Sequence, residues 1–96
     1  MQDLGPGSLF NSSMVYTIHG VILFGGTNRV SNVTNDNTWK WDGKFWTQSQ
    51  DIGPTPRREH KMAHDIKRDR VVLFGGFTGT GGSASAFGDT WELKIV

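Results

Sequence analysis

An internal repeat of about 50 residues constrains the fold of this chain more than any other feature of its sequence. Three segments recur in the same order, with offsets of 48, 50 and 52 residues: Gln2–Pro6 as Gln50–Pro54, Val21–Gly26 as Val71–Gly76, and Asn37–Trp39 as Asp89–Trp91. The offset changes by only two residues between successive matches, where loops tolerate insertions. The sequence therefore predicts two copies of one structural unit.

Each unit is predicted to be an antiparallel sheet. The first repeat is predicted to contain four strands and two tight turns: Ser12–Ile18, His19-Gly20, Val21–Phe24, Thr38–Trp41, Asp42-Gly43 and Phe45–Gln48. Val21–Phe24 is an apolar run beside glycines, too short for a buried helix and typical of a strand covered on both faces. Thr38–Trp41 alternates between two faces, and Asp42-Gly43 is a strong hairpin signal.

The second repeat is predicted to contain three strands, at Lys61–Ile66, Arg70–Phe74 and Thr90–Ile95. Neither repeat shows a 3.6-residue apolar pattern with helix caps, so the predicted class is all-β. The four tryptophans, Trp39, Trp41, Trp46 and Trp91, lie at repeat positions and are predicted to pack between the sheets rather than to stack on a ligand.

Three segments carry a resemblance to a known family: Gly53–Asp65, Arg70–Gly76 and Asn37–Trp46. In order and spacing they are similar to bacterial kelch-motif proteins, whose repeats show a P-R-x-x-H-x-M-A-x-D strand, a V-L-F-G-G strand and a D-T-W-x-W-D-G-x-x-W hairpin. The first repeat departs from this pattern, with Ser8, Phe10 and Ser12 expected at the positions of Arg58, His60 and Met62. The second repeat departs at Glu92-Leu93-Lys94, which replaces the Trp-Asp-Gly hairpin.

The resemblance implies two four-stranded antiparallel propeller blades, the second lacking its outer strand. Residues 1–53 form the first blade, with the end of a preceding outer strand at 1–4, and residues 54–96 form the second. Because propellers close around roughly 4–8 blades, the two blades are expected to complete a ring by oligomerisation or as part of a longer chain. A trimer, which would give six blades, is the favoured assembly.

Composition limits the possible partners. The net charge of +1 gives no long-range attraction for nucleic acid or an anionic membrane, and no apolar stretch approaches the ~18 residues that span a bilayer. No signal peptide is visible near Met1, so the sequence predicts a cytoplasmic protein if the chain is complete. The absence of cysteine excludes disulfides and the cysteine–tyrosine copper site of galactose-oxidase-type kelch enzymes. No cofactor is predicted.

No group of residues indicates catalysis or a metal site. His60 and His64 lie on one face of a strand and Asp65 follows, but a metal site needs a third ligand and an outer shell, which are not visible. Gly79–Ser83 is glycine-rich, yet neither a lysine nor a helix follows, as a phosphate loop requires. No two carboxylates can be assigned acid and base roles from their spacing.

Loop length predicts which side of the sheets binds a ligand. One side carries only short turns, His19-Gly20, Asp42–Lys44 and Lys67–Asp69, and the other carries the long connections Thr27–Asp36, Asp51–Glu59 and Phe77–Gly88. Long polar loops on a rigid scaffold are where binding residues usually lie. The candidate binding residues on that side are Asn28, Arg29, Asn32, Arg57, Arg58, Phe77 and Phe87.

The predicted function is a kelch-like interaction module that binds a protein or a glycan through the long-loop side. Two alternatives stay open: a subunit or fragment of a glycan-active propeller enzyme, and a purely structural piece of a larger propeller. Fold resemblance does not decide between them, because function resides in sites placed on a scaffold.

Overall fold

The computed structural model describes residues 5–48, 54–78 and 85–94, which contain only β-strands, turns and irregular segments. The strands are β1 (Leu9–Phe10), β2 (Ser13–Thr17), β3 (Gly20–Phe24), β4 (Thr27–Asn28), β5 (Thr38–Trp41), β6 (Trp46–Gln48), β7 (Lys61–Asp65), β8 (Arg70–Phe74), β9 (Phe77–Thr78), β10 (Ser85–Ala86) and β11 (Thr90–Leu93). All pairings are antiparallel. The predicted all-β class is confirmed. The described part of the chain offers no helix that could cross a membrane.

Two sheets share one strand order. Sheet 1 has the order β2-β3-β5-β6, and sheet 2 has the order β7-β8-β11. In sheet 1, β3 is central, and its residues Ile22, Leu23 and Phe24 are all buried. The apolar run thus forms the predicted strand, and sheet 2 covers the face that carries Ile22. The predicted strand end at Ile95 lies outside the described residues.

The hairpins β2–β3 and β7–β8 explain why the offset between the repeats changes. In sheet 1, Thr17 pairs with Gly20, which leaves a two-residue turn, whereas in sheet 2 Asp65 pairs with Arg70 across a four-residue turn. These two extra residues raise the offset from 48 to 50. Gly20 was predicted in the turn but belongs to β3. It adopts a φ of 117°. A Cβ at Gly20 would lie 2.3 Å from the Trp41 carbonyl oxygen, so a side chain cannot fit there.

The core lies between the two sheets. Ile22 from sheet 1 forms a buried cluster with Val71 and Leu93 from sheet 2, and Val15 and Met62 pack against it. These five side chains come from β2 and β3 on one side and from β7, β8 and β11 on the other. Full burial of such an aliphatic side chain contributes about 1.5–3 kcal/mol, so this contact stabilises the packing of the two sheets.

Residues 54–60 lead into sheet 2 and are hydrogen-bonded to the segments that flank both sheets. The Gly26 and Glu59 amides donate to the carbonyls of Arg57 and Asn11, at 2.9 and 2.7 Å, and connect this segment to sheet 1. Arg58 exchanges two backbone hydrogen bonds with Phe77, at 2.9 and 2.8 Å, on the sheet 2 side. The connecting segment is therefore part of the folded structure.

Candidate functional site

The long connections meet on one side of the two sheets, here called the loop face. Two short antiparallel ribbons organise it: β1 pairs with β4, and β9 pairs with β10. These connections contain short strands where the sequence predicts only loops. The start of the first long connection, β4, lies beside β1, whereas β9 and β10 pair with each other within one connection. Backbone groups paired in this way need not be solvated.

Two of the predicted binding residues shape the tip of the first long connection. The Asn28 side-chain oxygen accepts hydrogen bonds from the Val30 and Ser31 amides, at 2.8 and 2.9 Å. Asn32 adopts a left-handed φ of 60°, and its amide donates to the Asn28 carbonyl. Asparagine suits both positions, since it forms such local turns and tolerates positive φ. Both residues therefore hold the loop in shape.

Arg29 is the candidate that the loop presents to solvent. Its amide donates to the Ser8 carbonyl at 2.8 Å, which fixes the backbone, while its side chain is exposed. Together with Phe10 of β1 it lines an open cleft of about 290 Å³. The cleft combines a cation with an aromatic ring, a pairing suited to ligands that carry both a carboxylate and an apolar surface.

Arg58 and Phe77 form a second feature of the loop face. The Arg58 guanidinium lies 5.8 Å from the centre of the Phe77 ring and 2.7 Å from a Glu59 carboxylate oxygen. The structure therefore brings these two predicted residues together, in addition to the backbone bonds between them.

Arg57 lies inside the fold, and Phe87 is partly buried beneath its guanidinium. Arg57 is 1% exposed, and its guanidinium binds both carboxylate oxygens of Asp89, at 2.7 and 3.1 Å. It also donates to the Gly75 carbonyl at 3.0 Å and stacks 3.9 Å from the centre of the Phe87 ring. Hydrogen bonds from Arg57 and Trp91 hold the pKa of Asp89 far below its usual range. These groups stabilise sheet 2 and are not free to bind a ligand.

The structure corrects the expected alignment of the first strands. Asn11 and Glu59 share a φ of 60°, and a Cβ on Gly26 or Gly76 would collide with Ser12 or His60 respectively. Ser12 therefore corresponds to His60, and the offset of 48 residues extends through both first strands. By the same offset Phe10 corresponds to Arg58, Met14 to Met62 and Leu9 to Arg57. The expected positions of Ser8, Phe10 and Ser12 were each two residues in error.

The corrected alignment contains a sequence signal that could have identified Asp89 as the partner of Arg57. Leu9 and Asn37 in the first repeat correspond to Arg57 and Asp89 in the second, so both members of one pair change together from uncharged to charged. Phe10 is not among the predicted binding residues, because it was expected at the position of His60. Phe10 is exposed in the structure.

The histidines do not converge on a metal site. His60 is buried, and its ring meets Phe24 edge-on, with 5.4 Å between ring centres. His64 instead turns to Asp69, with 2.9 Å between Nε2 and Oδ1. Within residues 5–48, 54–78 and 85–94, no three histidine, cysteine or carboxylate side chains are placed to hold a metal ion.

Asp69 links the two sheets on the side of the short turns. Its carboxylate accepts hydrogen bonds from His19 of sheet 1, at 2.8 Å, and from His64 of sheet 2, at 2.9 Å. These hydrogen bonds, first from His19 and then from His64, lower the pKa of Asp69. A protonated Asp69 carboxyl would accept these two hydrogen bonds less strongly than the carboxylate does. The link between the sheets is therefore strongest when Asp69 is ionised.

The polar residues thus divide by role. Arg57, Asp89, His60 and the group around Asp69 stabilise the contact within and between the sheets, and Arg29 with Phe10 forms an accessible cleft on the loop face. Comparison with known proteins adds no assignment: no protein-family model matches the chain, and no curated protein matches it.

Proposed function

We propose that this chain is a kelch-type β-propeller interaction module that binds a protein or glycan partner through the loop face. The observation that carries the proposal is the cleft between Arg29 and Phe10, about 290 Å³ in volume, on a loop whose backbone is fixed. A charged side chain beside a ring, on a rigid support, loses little conformational freedom on binding.

The electrostatics of the cleft favour a carboxylate-bearing ligand. Arg29 supplies a guanidinium, which binds carboxylates through two parallel hydrogen bonds, and Phe10 supplies an apolar surface beside it. An acidic peptide with an aliphatic or aromatic neighbour fits this description, and so does a uronic-acid oligosaccharide, whose ring faces are apolar.

Replacing Arg29 with alanine is expected to weaken such binding about tenfold or more, because a charge-assisted hydrogen bond contributes about 1.5–3 kcal/mol. The experiment uses titration calorimetry with two probes, a uronic-acid oligosaccharide and a peptide containing alternating glutamate and leucine. The melting temperature is expected to stay nearly constant, since Arg29 is exposed.

Lys44 provides the matched control, since it is an exposed cation in a short turn on the opposite side of the sheets. Lys44→Ala is expected to leave the affinity of either probe unchanged. A larger loss from Lys44→Ala than from Arg29→Ala would reverse the assignment of the binding side. Failure of both probes to bind the wild-type chain would refute a carboxylate-binding cleft.

A further inference from the structure

Sheet 1 has an apolar face that sheet 2 does not cover. Strand register places Met14, Val21, Trp41 and Trp46 on the face opposite to Val15 and Ile22, which pack against sheet 2. The four side chains line an open apolar cleft of about 240 Å³. Met14 is 59% exposed. We call this surface the open face of sheet 1.

The repeat-equivalent face of sheet 2 is buried. Met14, Val21 and Trp41 correspond to Met62, Val71 and Leu93. Val71 and Leu93 belong to the buried cluster between the sheets, and Met62 packs against it. The side chains of sheet 2 at these positions thus contact sheet 1, whereas the equivalent side chains of sheet 1 line an open cleft.

Sheet 2 has an open face of its own, at the other end of the molecule. It carries Ala63, Val72 and Phe74, which alternate with the residues packed on sheet 1. Their equivalents in sheet 1 are Val15, Ile22 and Phe24, on the face that packs against sheet 2. Phe74 is 55% exposed, whereas Phe24 is 0% exposed.

The glycine at the end of each central strand shows the same difference. A Cβ on Gly25 would lie 2.5 Å from the Arg57 carbonyl oxygen and 2.8 Å from the His60 ring. A Cβ on the equivalent Gly75 would meet only the Phe87 carbonyl oxygen, at 3.5 Å, among the described residues. No described residue comes as close to Gly75 as Arg57 and His60 come to Gly25.

We propose that the open face of sheet 1 binds the open face of sheet 2 of a second copy of this chain, repeating between molecules the contact that exists within one. Each molecule carries one half of the contact at either end, so association is head-to-tail. Head-to-tail contacts close into a ring when the rotation between copies permits it. A ring of three copies, with six sheets around one axis, is the expected assembly.

The hydrogen-bonding groups at the short turns are complementary for this arrangement. His19 immediately precedes β3 and Asp69 immediately precedes β8, so the two residues are repeat equivalents. Within one molecule His19 of sheet 1 binds Asp69 of sheet 2 at 2.8 Å. At the proposed contact, Asp69 of one molecule occupies the position that His19 has in the intramolecular contact. His19 of the second copy occupies the position that Asp69 has there. The same attractive pair is thus formed with its members exchanged.

Two single-face variants test the proposal. Met14→Glu places a charge on the open face of sheet 1, and Phe74→Glu places one on the open face of sheet 2. Mass is measured by light scattering, with the 10.6 kDa chain as the unit. Each variant alone is expected to be monomeric, because every contact would need the altered face. A mixture of the two is expected to form a one-to-one dimer, which retains one intact contact and cannot extend.

Val30→Glu is the matched control, since Val30 is exposed on the first long connection, away from both faces, and this variant is expected to keep the wild-type mass. Tryptophan fluorescence establishes that each variant is folded. A variant that is not folded is replaced by Tyr16→Glu, since Tyr16 pairs with Val21 on the open face of sheet 1, or by Ala63→Glu on the open face of sheet 2. A monomeric wild-type chain at micromolar concentration would overturn the proposal. So would Phe74→Glu with an unchanged mass, which would indicate a symmetric contact, or a mixture that stays monomeric.

Discussion

Replacing Asp89 with asparagine is expected to lower the free energy of unfolding by about 3 kcal/mol, as measured by urea denaturation at neutral pH and fixed protein concentration. Loss of one partner of a buried ion pair typically costs ~3–5 kcal/mol. The lower end applies because the Asp89 side chain is 40% exposed, so water screens part of the interaction.

The expected loss arises at Arg57 rather than at Asp89. The guanidinium is 1% exposed and binds both carboxylate oxygens. In the asparagine variant only one side-chain oxygen remains, and the amide NH2 group faces a guanidinium nitrogen that also carries protons. The variant therefore retains a buried charge without a counter-ion, which costs more than loss of a neutral hydrogen bond.

Glu59→Gln is the matched control for Asp89→Asn. It removes the same charge from the neighbouring arginine–carboxylate pair, Arg58 with Glu59, whose carboxylate is exposed. A loss below about 1 kcal/mol is expected, as for surface ion pairs. Equal losses in the two variants would contradict the structural role assigned to Arg57.

Acidification from pH 7 to pH 4 is expected to destabilise the fold by about 3 kcal/mol through His60 alone. Burial, with smaller contributions from the charges of Arg57 and Lys61, lowers the pKa of His60 from 6.5 to about 4. The nearby Phe24 backbone favours the proton, but neither ring nitrogen forms a hydrogen bond of normal geometry with the described residues. A difference of about 2.5 pH units corresponds to about 3 kcal/mol.

The sign follows from the lower pKa in the folded state. Above pH 6.5 the ring is neutral in both states, and its contribution is fully present. Between pH 6.5 and about 4 the unfolded chain binds a proton that the folded chain excludes, and stability falls. The carboxylates with lowered pKa values, Asp42, Asp69 and Asp89, lose their contributions at still lower pH.

His60→Leu isolates this effect, because leucine fills similar space and cannot be protonated. Urea denaturation at a series of pH values is expected to give a shallower curve for the variant than for the wild type between pH 6.5 and 4. His19 and His64 are present in both proteins, so their contributions cancel in the difference. Parallel curves would show that His60 is accessible to protons in the folded state.

The sequence predicted the strands well where local chemistry specifies them. The apolar runs ending at Phe24 and Phe74 form central strands, and Asp42 accepts hydrogen bonds from the Lys44 and Phe45 amides in the predicted hairpin. These signals are local: a short apolar run between glycines, or an Asp-Gly pair between alternating residues, depends little on distant contacts.

The candidate site was predicted less well, because exposure depends on residues far apart in sequence. Arg57 and Arg58 are adjacent and chemically identical, yet Asp89 holds the first in the interior while the second lies on the loop face. Loop length distinguished the two sides of the sheets but not these two arginines. The short ribbons of the loop face were also not predicted, since two-residue strands carry no periodic pattern.

The hydrogen bonds of residues 54–60 join the first sequence repeat to the second, so a single repeat is not the unit that folds. The Gly26 amide, in the first repeat, donates to Arg57 in the second, and the Glu59 amide donates back to Asn11. Separating the chain at the repeat boundary would leave the backbone groups of two buried residues, Gly26 and Arg57, without these partners, at a cost of about 1–3 kcal/mol for each. Both repeats should therefore unfold together in one cooperative transition, and an engineered chain with added or exchanged repeats should be joined within a strand pair rather than between repeats.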